Sequence, residues 1–365
     1  MKLSEVRKME NCGCFPTPLQ RMDRLSEELG CNILFKRDDL TGLGFSGNKI
    51  RKLQYLVRDA RDQGCTTLLT FGGVQTNHGR QTAAVACKYG MKSVIIASLD
   101  GAQPPQRLSG NLLLDEILGC DVRFLDVSAL KNCGLSPDEI KAETVKLRRK
   151  AADQVIAEYE AHGEKVYEMP AGGSTPIGCL GYFYAVQEMQ EQLKQMGQTA
   201  EYLVCPSGSC GTYAGLWLGS RYFHAPFQVI GSCVSPHGQV YVEKMASFIN
   251  ETSRFFDLDI TASPEELELL CTQCAGTAYD APDEKTFAVI QRLTRSEGVF
   301  VDPCYTGKGF AGMLYLIETG RIPAGSTVVF LHTGGLPGLY SEQHLAAFNE
   351  SLWVGQAHPV MQPEV

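Results

Sequence analysis

The alternation of short β-branched segments with amphipathic segments is the feature that most constrains the fold of this chain. A strand-like run at residues 66–71 leads into Gly72-Gly73 and a helix-like segment over Asn77–Lys88. The same order recurs, with further strands predicted at 93–97, 122–127, 165–169, 201–204 and 227–232, and helices near 111–118, 136–161, after Pro176 and over 213–220. Ser174 or Thr175 as N-cap, followed by Pro176, is typical of a helix start. Strands separated by helical crossovers predict an α/β fold of parallel sheets with helices on both faces.

Composition and charge exclude several classes of protein. The chain has 365 residues, of which 44% are hydrophobic, with 33 Lys and Arg against 41 Asp and Glu. This composition excludes disordered and collagen-like chains, and a length of about 150 residues per domain favours two domains. The net charge of -8, with no basic stripe, argues against a nucleic-acid partner. We expect a cytoplasmic protein with no membrane association, because no signal-peptide core and no run of about 18 apolar residues is present.

The fourteen cysteines are expected to be reduced. In a chain of this size without an export signal, cysteines are more often small buried residues than disulfide partners. Cys12-Gly13-Cys14 and Cys271-Thr272-Gln273-Cys274 together offer four thiolates to a zinc ion, but the two pairs are far apart in sequence and lack flanking turns. We therefore expect no metal site.

Two glycine-rich segments raise the question of phosphate binding. Residues 42–47 fit a dinucleotide pattern, but the Asp38 to Thr41 segment separates them from the preceding strand-like run. They do not form a triphosphate loop, because Asn48 precedes Lys49 and Ile50 occupies the position of the magnesium-binding hydroxyl. Residues 207–212, between a strand and a helix, are a better anion site, since backbone N–H groups and a helix dipole converge there. A plain strand-to-helix turn is the alternative.

Two further polar junctions follow predicted strands. Residues 71–80 place Gln, Thr, Asn and His side chains at a helix start, suited to a carboxylate, although Thr76 and Asn77 could serve only as helix caps. His332-Thr333-Gly334-Gly335 follows the buried run 328–331. Open α/β sheets bind ligands at such carboxyl ends of strands.

Taken together, these motifs resemble the family of D-cysteine desulfhydrase and 1-aminocyclopropane-1-carboxylate deaminase. The matching segments are SGNKIRKL at 46–53, QTNH at 75–78, SGSCGT at 207–212, DPCYTGK at 302–308 and HTGG at 332–335. The resemblance covers nearly the whole chain, from residues 15–19 onward. It implies pyridoxal phosphate as cofactor and a small amino acid as substrate. The implied fold is tryptophan-synthase-β-like (fold type II): two three-layer α/β/α domains with mostly parallel sheets, a large one of residues 1–54 and 166–365 and a small one of 55–165. A homodimer is implied as well.

The resemblance also implies roles for individual residues. Lys49 forms the Schiff base with the cofactor and later moves the Cα proton, a task that needs a neutral amine. The phosphate is held by Lys52 together with Ser207, Gly208, Ser209, Cys210, Gly211 and Thr212, and Asn77 lies near the cofactor's phenolic oxygen. The substrate is contacted by Gln75, Thr76, Asn77 and His78, with Thr76 also placed for proton movement. Tyr279 and Tyr305 match two active-site tyrosines, for each of which core packing is the alternative.

The residue that faces the pyridine nitrogen decides the expected reaction. A carboxylate there keeps the nitrogen protonated and makes the ring a strong electron sink, whereas a hydroxyl does not. The cyclopropane deaminases resembled here have Glu and Leu at the positions of Thr306 and Thr333, and the desulfhydrases have Thr at both. We therefore expect β-elimination, with D-cysteine giving pyruvate, hydrogen sulfide and ammonia. L-cysteate sulfo-lyase and cyclopropane deaminase activities are the alternatives.

Several departures from the family pattern lie where substrate selectivity is decided. These are Thr76 in place of Ser, Ser46 in place of Gly, Cys304 beside Tyr305, and Leu336-Pro337-Gly338 after the His332 loop. Cys210 and Cys304 are either oxidisable thiols or small buried residues, and the second is the expectation. An amino-acid-binding protein without turnover is a distant alternative.

Overall fold

The computed structural model describes residues 2–9, 11–99, 101, 103–131, 133–134 and 137–355. The strands are β1 Leu19–Arg21, β2 Asn32–Arg37, β3 Thr67–Gly73, β4 Lys92–Leu99, β5 Asp121–Asp126, β6 Val166–Met169, β7 Tyr202–Ser207, β8 Gln228–Cys233, β9 Glu268–Leu270 and β10 Thr327–His332. The helices are α1 Asp23–Leu29, α2 Lys49–Asp62, α3 Asn77–Lys88, α4 Gly110–Ile117, α5 Ser128–Lys131, α6 Pro137–Ala161, α7 Pro176–Gln195, α8 Gly211–Tyr222, α9 Gln239–Phe255, α10 Glu284–Glu297, α11 Thr306–Glu318 and α12 Glu342–Leu352. The predicted helix start at Ser136 lies outside the described residues.

The strands form two separate sheets, one of six strands and one of four. The larger has the order β1-β2-β10-β7-β8-β9 and the smaller the order β5-β4-β3-β6. Every pairing is parallel except that of β1 with β2. This arrangement confirms the prediction of mostly parallel sheets joined by helical crossovers.

The larger sheet is covered by helices on both faces because its central strands are apolar on both. Val329 and Leu331 of β10 pack toward α7, α8 and α9, whereas Val328 and Phe330 pack toward α1, α10 and α11. Alternation along a strand places successive side chains on opposite faces. Both faces therefore contribute to a core, as expected for a buried parallel sheet.

The smaller sheet is also covered on both faces. Leu69 and Val94 pack against α6, and Ile95 packs with α3 on the opposite face. Helix α2 places Leu53 and Leu56 in the core between this sheet and α3, while the backbone of its Arg51 packs closely against Gly181 of α7. Helix α2 thus connects the two sheets.

The domain boundaries drawn from the sequence stay a prediction, and the sheet pairing differs from them at one strand. β6 begins the second segment assigned to the large domain, yet it pairs in parallel with β3 of the smaller sheet. The long helix α6 returns the chain across the sheet, so β6 can add to its far edge. The boundary at 54/55 falls within α2.

The predicted helix starts that bear on the site are confirmed. Thr175 caps α7 by accepting a hydrogen bond from the Gly178 N–H at 3.0 Å, with Pro176 as the first helical residue. Thr76 caps α3 in the same way, accepting from the Gly79 N–H at 3.2 Å. Within the part of the chain that the structure describes, no helix is long and apolar enough to cross a membrane.

Candidate active site

A pocket lies at the carboxyl ends of β7 and β10, where the start of α2 meets the loop between β7 and α8. We call residues 207–212 the glycine loop. The pocket is lined by Asn48, Lys49, Pro206, Ser207, Gly208, Ser209, Cys210, Thr212, Tyr213, Tyr305 and Thr333. Lys49, most of the glycine loop, Tyr305 and Thr333 are thus brought together from four separate motifs.

Lys49 is the first residue of α2 and presents a buried amine to the pocket. Its side chain is 9% exposed, and Nζ donates a hydrogen bond to Oδ1 of Asn48 at 3.0 Å. Burial lowers the pKa of Lys49 well below its ordinary value of 10.5, and the charge of Lys52 lowers it further, while Asp302 opposes the shift. The start of a helix also disfavours a cation. The Lys49 amine is therefore suited to act as a neutral nucleophile and base.

The glycine loop has the local geometry of an anion site. Cys210 adopts a positive φ of 69°, immediately before the first residue of α8, Gly211. A Cβ added at Gly211 would lie 2.8 Å from Nζ of Lys52 and 2.9 Å from Oγ of Ser174, so no larger residue fits there without displacing them. The loop therefore brings the helix N-terminus and a lysine amine to one place.

Lys52 lies one turn after Lys49 and is fully buried. Its Nζ donates a hydrogen bond to the carbonyl oxygen of Gly172 at 3.0 Å. Burial lowers the pKa of Lys52 to about 8. A buried cation beside an open helix N-terminus is the donor set expected for a phosphate.

His78 is buried among these lysines without a hydrogen-bond partner. It is 3% exposed, and neither ring nitrogen is bonded within the described residues. Its ring packs against Gly173, where an added Cβ would lie 3.1 Å from Cε1. Burial lowers the pKa of His78 well below 6.5, and the charges of Lys49 and Lys52 act in the same direction. His78 is therefore a neutral polar group available to a ligand.

Asn77 is hydrogen-bonded to a neighbouring side chain, and Gln75 to neighbouring backbone groups. Oδ1 of Asn77 accepts from Nδ2 of Asn111 at 3.0 Å. The Gln75 amide binds the start of α4, where its Nε2 donates to the Ser109 carbonyl at 3.1 Å and its Oε1 accepts from the Asn111 N–H at 2.7 Å. These contacts give Gln75 a structural role, so its predicted contact with substrate would require that loop to move.

Tyr279 and Tyr305 form a hydrogen-bonded pair at the mouth of the pocket. Their hydroxyl oxygens are 2.6 Å apart, and their rings meet edge to face at 5.6 Å. Tyr279 is 41% exposed, whereas Tyr305 lines the pocket. Burial raises the pKa of Tyr305 well above 10. Tyr305 therefore faces the pocket and Tyr279 is hydrogen-bonded to it at the surface, so neither is a simple core residue.

The two threonines that bear on the reaction are placed differently. The Thr306 hydroxyl is buried and donates to Oδ1 of Asp302 at 2.6 Å while accepting from the Asp302 N–H at 2.7 Å. The Asp302 carboxylate also accepts the N–H groups of Cys304, Tyr305 and Thr306, so it caps α11. Thr333, in contrast, lines the pocket. Of the two threonines, Thr333 is the one that lines the pocket.

Comparison with known proteins identifies the family of the chain. Residues 13–334 match the family model described as pyridoxal-phosphate dependent enzyme. The chain belongs to the pyridoxal-phosphate-dependent enzyme family. Its cofactor is pyridoxal phosphate, and the α/β fold of the tryptophan-synthase-β-like type is confirmed.

Relatives within this family carry two different names. A protein of Pyrococcus abyssi with the provisional name 1-aminocyclopropane-1-carboxylate deaminase is 36% identical over 324 residues, covering 89% of this chain and 90% of that protein. The D-cysteine desulfhydrase of Yersinia enterocolitica is 35% identical over 343 residues, covering 93% and 97%. A crystal structure of an ACC deaminase homologue has a TM-score of 0.79 and 31% identity, and covers 96% of each chain. The chain is thus a pyridoxal-phosphate-dependent lyase or deaminase of the group that contains both activities.

The residues present fit pyridoxal phosphate. The aldehyde of the cofactor needs a neutral amine, which Lys49 offers, and the phosphate needs the N–H groups and the cation that the glycine loop and Lys52 offer. The unpartnered His78 is a further polar group for a ligand of this kind.

Three contributors to the site were missed from the sequence. Ser174 bonds to Ser209 and accepts from the Gly211 N–H at 3.2 Å. Tyr241 of α9 donates to the Gly208 carbonyl at 3.0 Å. Asp302 was quoted only as part of a motif, without its capping role. The glycine pair 172–173 after β6 was the available signal for the Ser174 segment, whereas no local pattern marks Tyr241.

The cysteine pairs considered for zinc lie in different parts of the fold. Cys12 packs in the core formed with Ile50 and Leu53 of α2, and Cys271 follows β9 of the larger sheet. Among the described residues, no group of three or more His, Cys, Asp or Glu side chains is arranged to hold a metal.

Proposed function

We propose that this enzyme catalyses β-elimination from a small β-substituted amino acid, with D-cysteine giving pyruvate, hydrogen sulfide and ammonia. The observation that carries the proposal is the pair of threonines. Thr333 lines the pocket, and the Thr306 hydroxyl is bonded to Asp302. Asp302 itself is occupied by the N-terminus of α11. A hydroxyl rather than a carboxylate at the pyridine nitrogen favours elimination of a good leaving group over the opening of a ring that lacks an α-proton.

Lys49 is the proposed base in this reaction. When bound, pyridoxal phosphate supplies the electron sink that makes the substrate Cα–H acidic. The neutral Lys49 amine takes that proton, and the β-sulfur leaves with the bonding electrons as thiolate. Aminoacrylate is released and hydrolyses to pyruvate and ammonia.

The remaining predicted site residues are proposed to hold the cofactor and the substrate. The glycine loop and Lys52 hold the phosphate, because they place N–H groups and a cation together. Thr76, Asn77 and His78, at the start of α3, hold the substrate and the cofactor's phenolic oxygen. The Tyr279–Tyr305 pair closes the pocket on the substrate side, where its linked hydroxyls can pass a proton to the departing sulfur.

Ring opening of 1-aminocyclopropane-1-carboxylate is the second candidate. It is favoured by the name of the Pyrococcus abyssi relative, at 36% identity. L-cysteate needs a polar or cationic group for its sulfonate, for which His78, Arg80 or a nearby lysine are candidates. It is the less suitable substrate, because the buried Arg80 is engaged with the carbonyls of Gly44 and Ser46 and with Oδ1 of Asn111. We also propose that the enzyme is a cytoplasmic homodimer that degrades sulfur-containing amino acids.

Parallel assays on purified, cofactor-loaded protein test the proposal. The substrates are D-cysteine, L-cysteine, L-cysteate and 1-aminocyclopropane-1-carboxylate, and the products followed are pyruvate, 2-oxobutyrate, sulfide and sulfite. We expect pyruvate with sulfide from D-cysteine to have the highest kcat/KM. Pyruvate with sulfite would identify a cysteate lyase, and dominant 2-oxobutyrate would show that the inference from the threonines is wrong. No keto acid from these substrates or from a broad panel of other amino acids, despite bound cofactor, would support a binding protein without turnover.

A further inference from the structure

Two cysteines lie side by side at the ends of adjacent strands in the larger sheet. β8 ends at Cys233, and Cys271 directly follows β9. The register pairs Gly231 with Leu269 and Ser232 with Leu270, so the next residues in register are Cys233 and Cys271. Neighbouring strands lie about 4.8 Å apart, within the Cα separation of about 4.4 to 6.8 Å found in disulfides.

The side chains of these register partners point to the same face. Gly231 and Leu269, which precede Cys233 and Cys271 by two residues, are also register partners. A Cβ added at Gly231 would lie 2.5 Å from Cδ2 of Leu269, so these two positions approach closely on one face of the sheet. Since side chains alternate along a strand, Cys233 and Cys271 share this face. The two thiols are therefore neighbours.

The environments of the two thiols differ. Cys271 is partly exposed, and its hydrogen bond with Cys233 lowers its pKa to about 7. The same hydrogen bond, together with burial, raises the pKa of Cys233. The hydrogen bond therefore favours the thiolate at Cys271, which is the form that reacts with a peroxide, and keeps the proton on Cys233.

We propose that Cys233 and Cys271 are a disulfide-forming pair that a peroxide oxidises reversibly. The Cys271 thiolate attacks one oxygen of hydrogen peroxide, which gives a sulfenic acid at Cys271 and, after protonation, one water. The Cys233 sulfur then displaces the sulfenic oxygen, which leaves with the Cys233 proton as a second water. Two thiols and one peroxide thus give one disulfide and two waters, and a dithiol reductant reverses the bond.

Cys274 is the competing partner because of its spacing from Cys271 in sequence. Burial raises the pKa of Cys274 to about 11, and its charged neighbours include Asp283 and Lys285 at the start of α10. Cys274 therefore lies toward α10, whereas the Cys271 thiol is hydrogen-bonded to that of Cys233. The geometry favours the linkage across the two strands.

The pair is connected to the glycine loop. The Cys271 carbonyl accepts from the His237 N–H at 3.0 Å, the His237 ring stacks on Tyr241 at 3.9 Å, and Tyr241 donates to the Gly208 carbonyl. Oxidation is expected to move this chain of contacts and to weaken the retention of pyridoxal phosphate. This consequence rests on the proposed phosphate role of the loop, whereas the disulfide does not.

Peptide mapping of the holoenzyme tests the pair directly. The protein is treated with hydrogen peroxide, its remaining thiols are blocked with N-ethylmaleimide, and it is digested without reductant. We expect one linked peptide that contains Cys233 and Cys271 and separates on reduction. Cys271→Ser should abolish it, whereas Cys14→Ser, which removes an exposed thiol elsewhere, should not. Because Cys233 is buried, Cys271→Ser is the primary variant.

Two results would overturn the proposal. One is a Cys271–Cys274 link, and the other is oxidation of Cys271 only to sulfinic acid with no linked peptide. Dialysis of the oxidised holoenzyme tests the connection to the loop separately. Faster loss of cofactor than from the reduced enzyme, absent in Cys271→Ser, supports the connection. A disulfide with unchanged cofactor retention would rule it out and leave the disulfide intact.

Discussion

The two lysines at the start of α2 derive their properties from burial at a helix N-terminus. Lys49 and Lys52 are both buried, and the charge of Lys52 lowers the pKa of Lys49. Each cation is disfavoured by desolvation and by the positive end of the helix dipole. Burial of the two amines costs folding free energy in the protein without cofactor. The same burial suits the Lys49 amine to act as a nucleophile and the Lys52 amine to bind an anion.

The pH dependence of phosphate binding should report on Lys52. Because its pKa is about 8 in the empty protein, Lys52 is a cation below pH 8 and binds phosphate without taking up a proton. As the pH rises above 8, binding must take up a proton, and affinity should fall by up to about tenfold per pH unit. Pyridoxamine 5′-phosphate is the suitable probe, because it has no aldehyde to condense with Lys49 and its phosphate is fully charged above about pH 7.

Fluorescence titration of that probe, at several pH values on both sides of 8, measures the effect. Lys52→Gln should bind more weakly and with a flatter pH profile, whereas Lys88→Gln, an exposed change in α3, should follow the wild type. An affinity that rises with pH through this range would refute the role of Lys52.

The sequence could identify the residue types at the site but not their hydrogen-bond partners. The role of Lys49 was predicted from the family resemblance, whereas the glycine loop was also predicted from its glycines and hydroxyl residues between a strand and a helix. Whether Thr306 faces the ligand depends on the Asp302 carboxylate, which binds it and caps α11. Such a hydrogen bond depends on three-dimensional geometry, which no spacing in the sequence reports.

At the scale of elements, a buried ionic network holds α2 in place. Arg51 donates to both oxygens of Asp38, at 2.7 and 2.8 Å, and to both oxygens of Glu188, at 3.0 and 2.8 Å. Lys36 also donates to Glu188. Burial acts to raise the pKa of Asp38, but Arg51 and Lys36 hold it below 3.8. Arg51 lies two residues after Lys49, so the network fixes the helix start that carries the reactive amine.

Removal of Arg51 should therefore destabilise the protein strongly. Arg51→Leu leaves the buried Asp38 carboxylate and the partly buried Glu188 carboxylate with less compensation, which we expect to cost about 3 to 5 kcal/mol of unfolding free energy. Arg58→Leu in the same helix breaks only an exposed pair with Asp62 and should change stability little. Urea unfolding of both variants measures the difference. Equal, small losses would mean that the network does not hold α2.

Between residues 66 and 232 most strands and helices were predictable because apolar periodicity is a local property, whereas α1, α2 and α9 to α12 were not predicted. The predicted helix over Asn77–Lys88 matches α3, and the strand at 227–232 matches β8 to within one residue. β1 and β9 were not predicted, since three residues each are too few to show a period. The placement of β6 in the smaller sheet depends on where α6 carries the chain, which periodicity does not report.

At the scale of the whole molecule, the site is assembled from both sheets. Lys49 and the glycine loop adjoin the larger sheet, and His78 follows β3 of the smaller one. Arg80 of α3 ties the two parts together by donating to the carbonyls of Gly44 and Ser46, which precede Lys49. Cofactor binding should therefore stabilise both parts together.

Hydrogen exchange with and without pyridoxal phosphate tests this coupling. At a free concentration of 100 times Kd, the cofactor should add about 2.7 kcal/mol to stability. We expect slower exchange at the first turn of α3 as well as in the glycine loop, and no local change in the exposed half of α6. Protection confined to the glycine loop would mean that the smaller sheet takes no part in cofactor binding.

The neutral amine of Lys49 is the group that we propose as the base of a β-eliminating lyase. The most direct measurement compares pyruvate formation from D-cysteine by wild type, Lys49→Ala and Lys88→Ala, each loaded with pyridoxal phosphate. We expect Lys49→Ala still to bind cofactor through the glycine loop but to lose the long-wavelength absorbance of the lysine-bound form. We also expect it to form no pyruvate above the rate of free cofactor. Lys88→Ala should match the wild type. Pyruvate formation by Lys49→Ala at a rate near that of the wild type would show that Lys49 is not the base of the reaction.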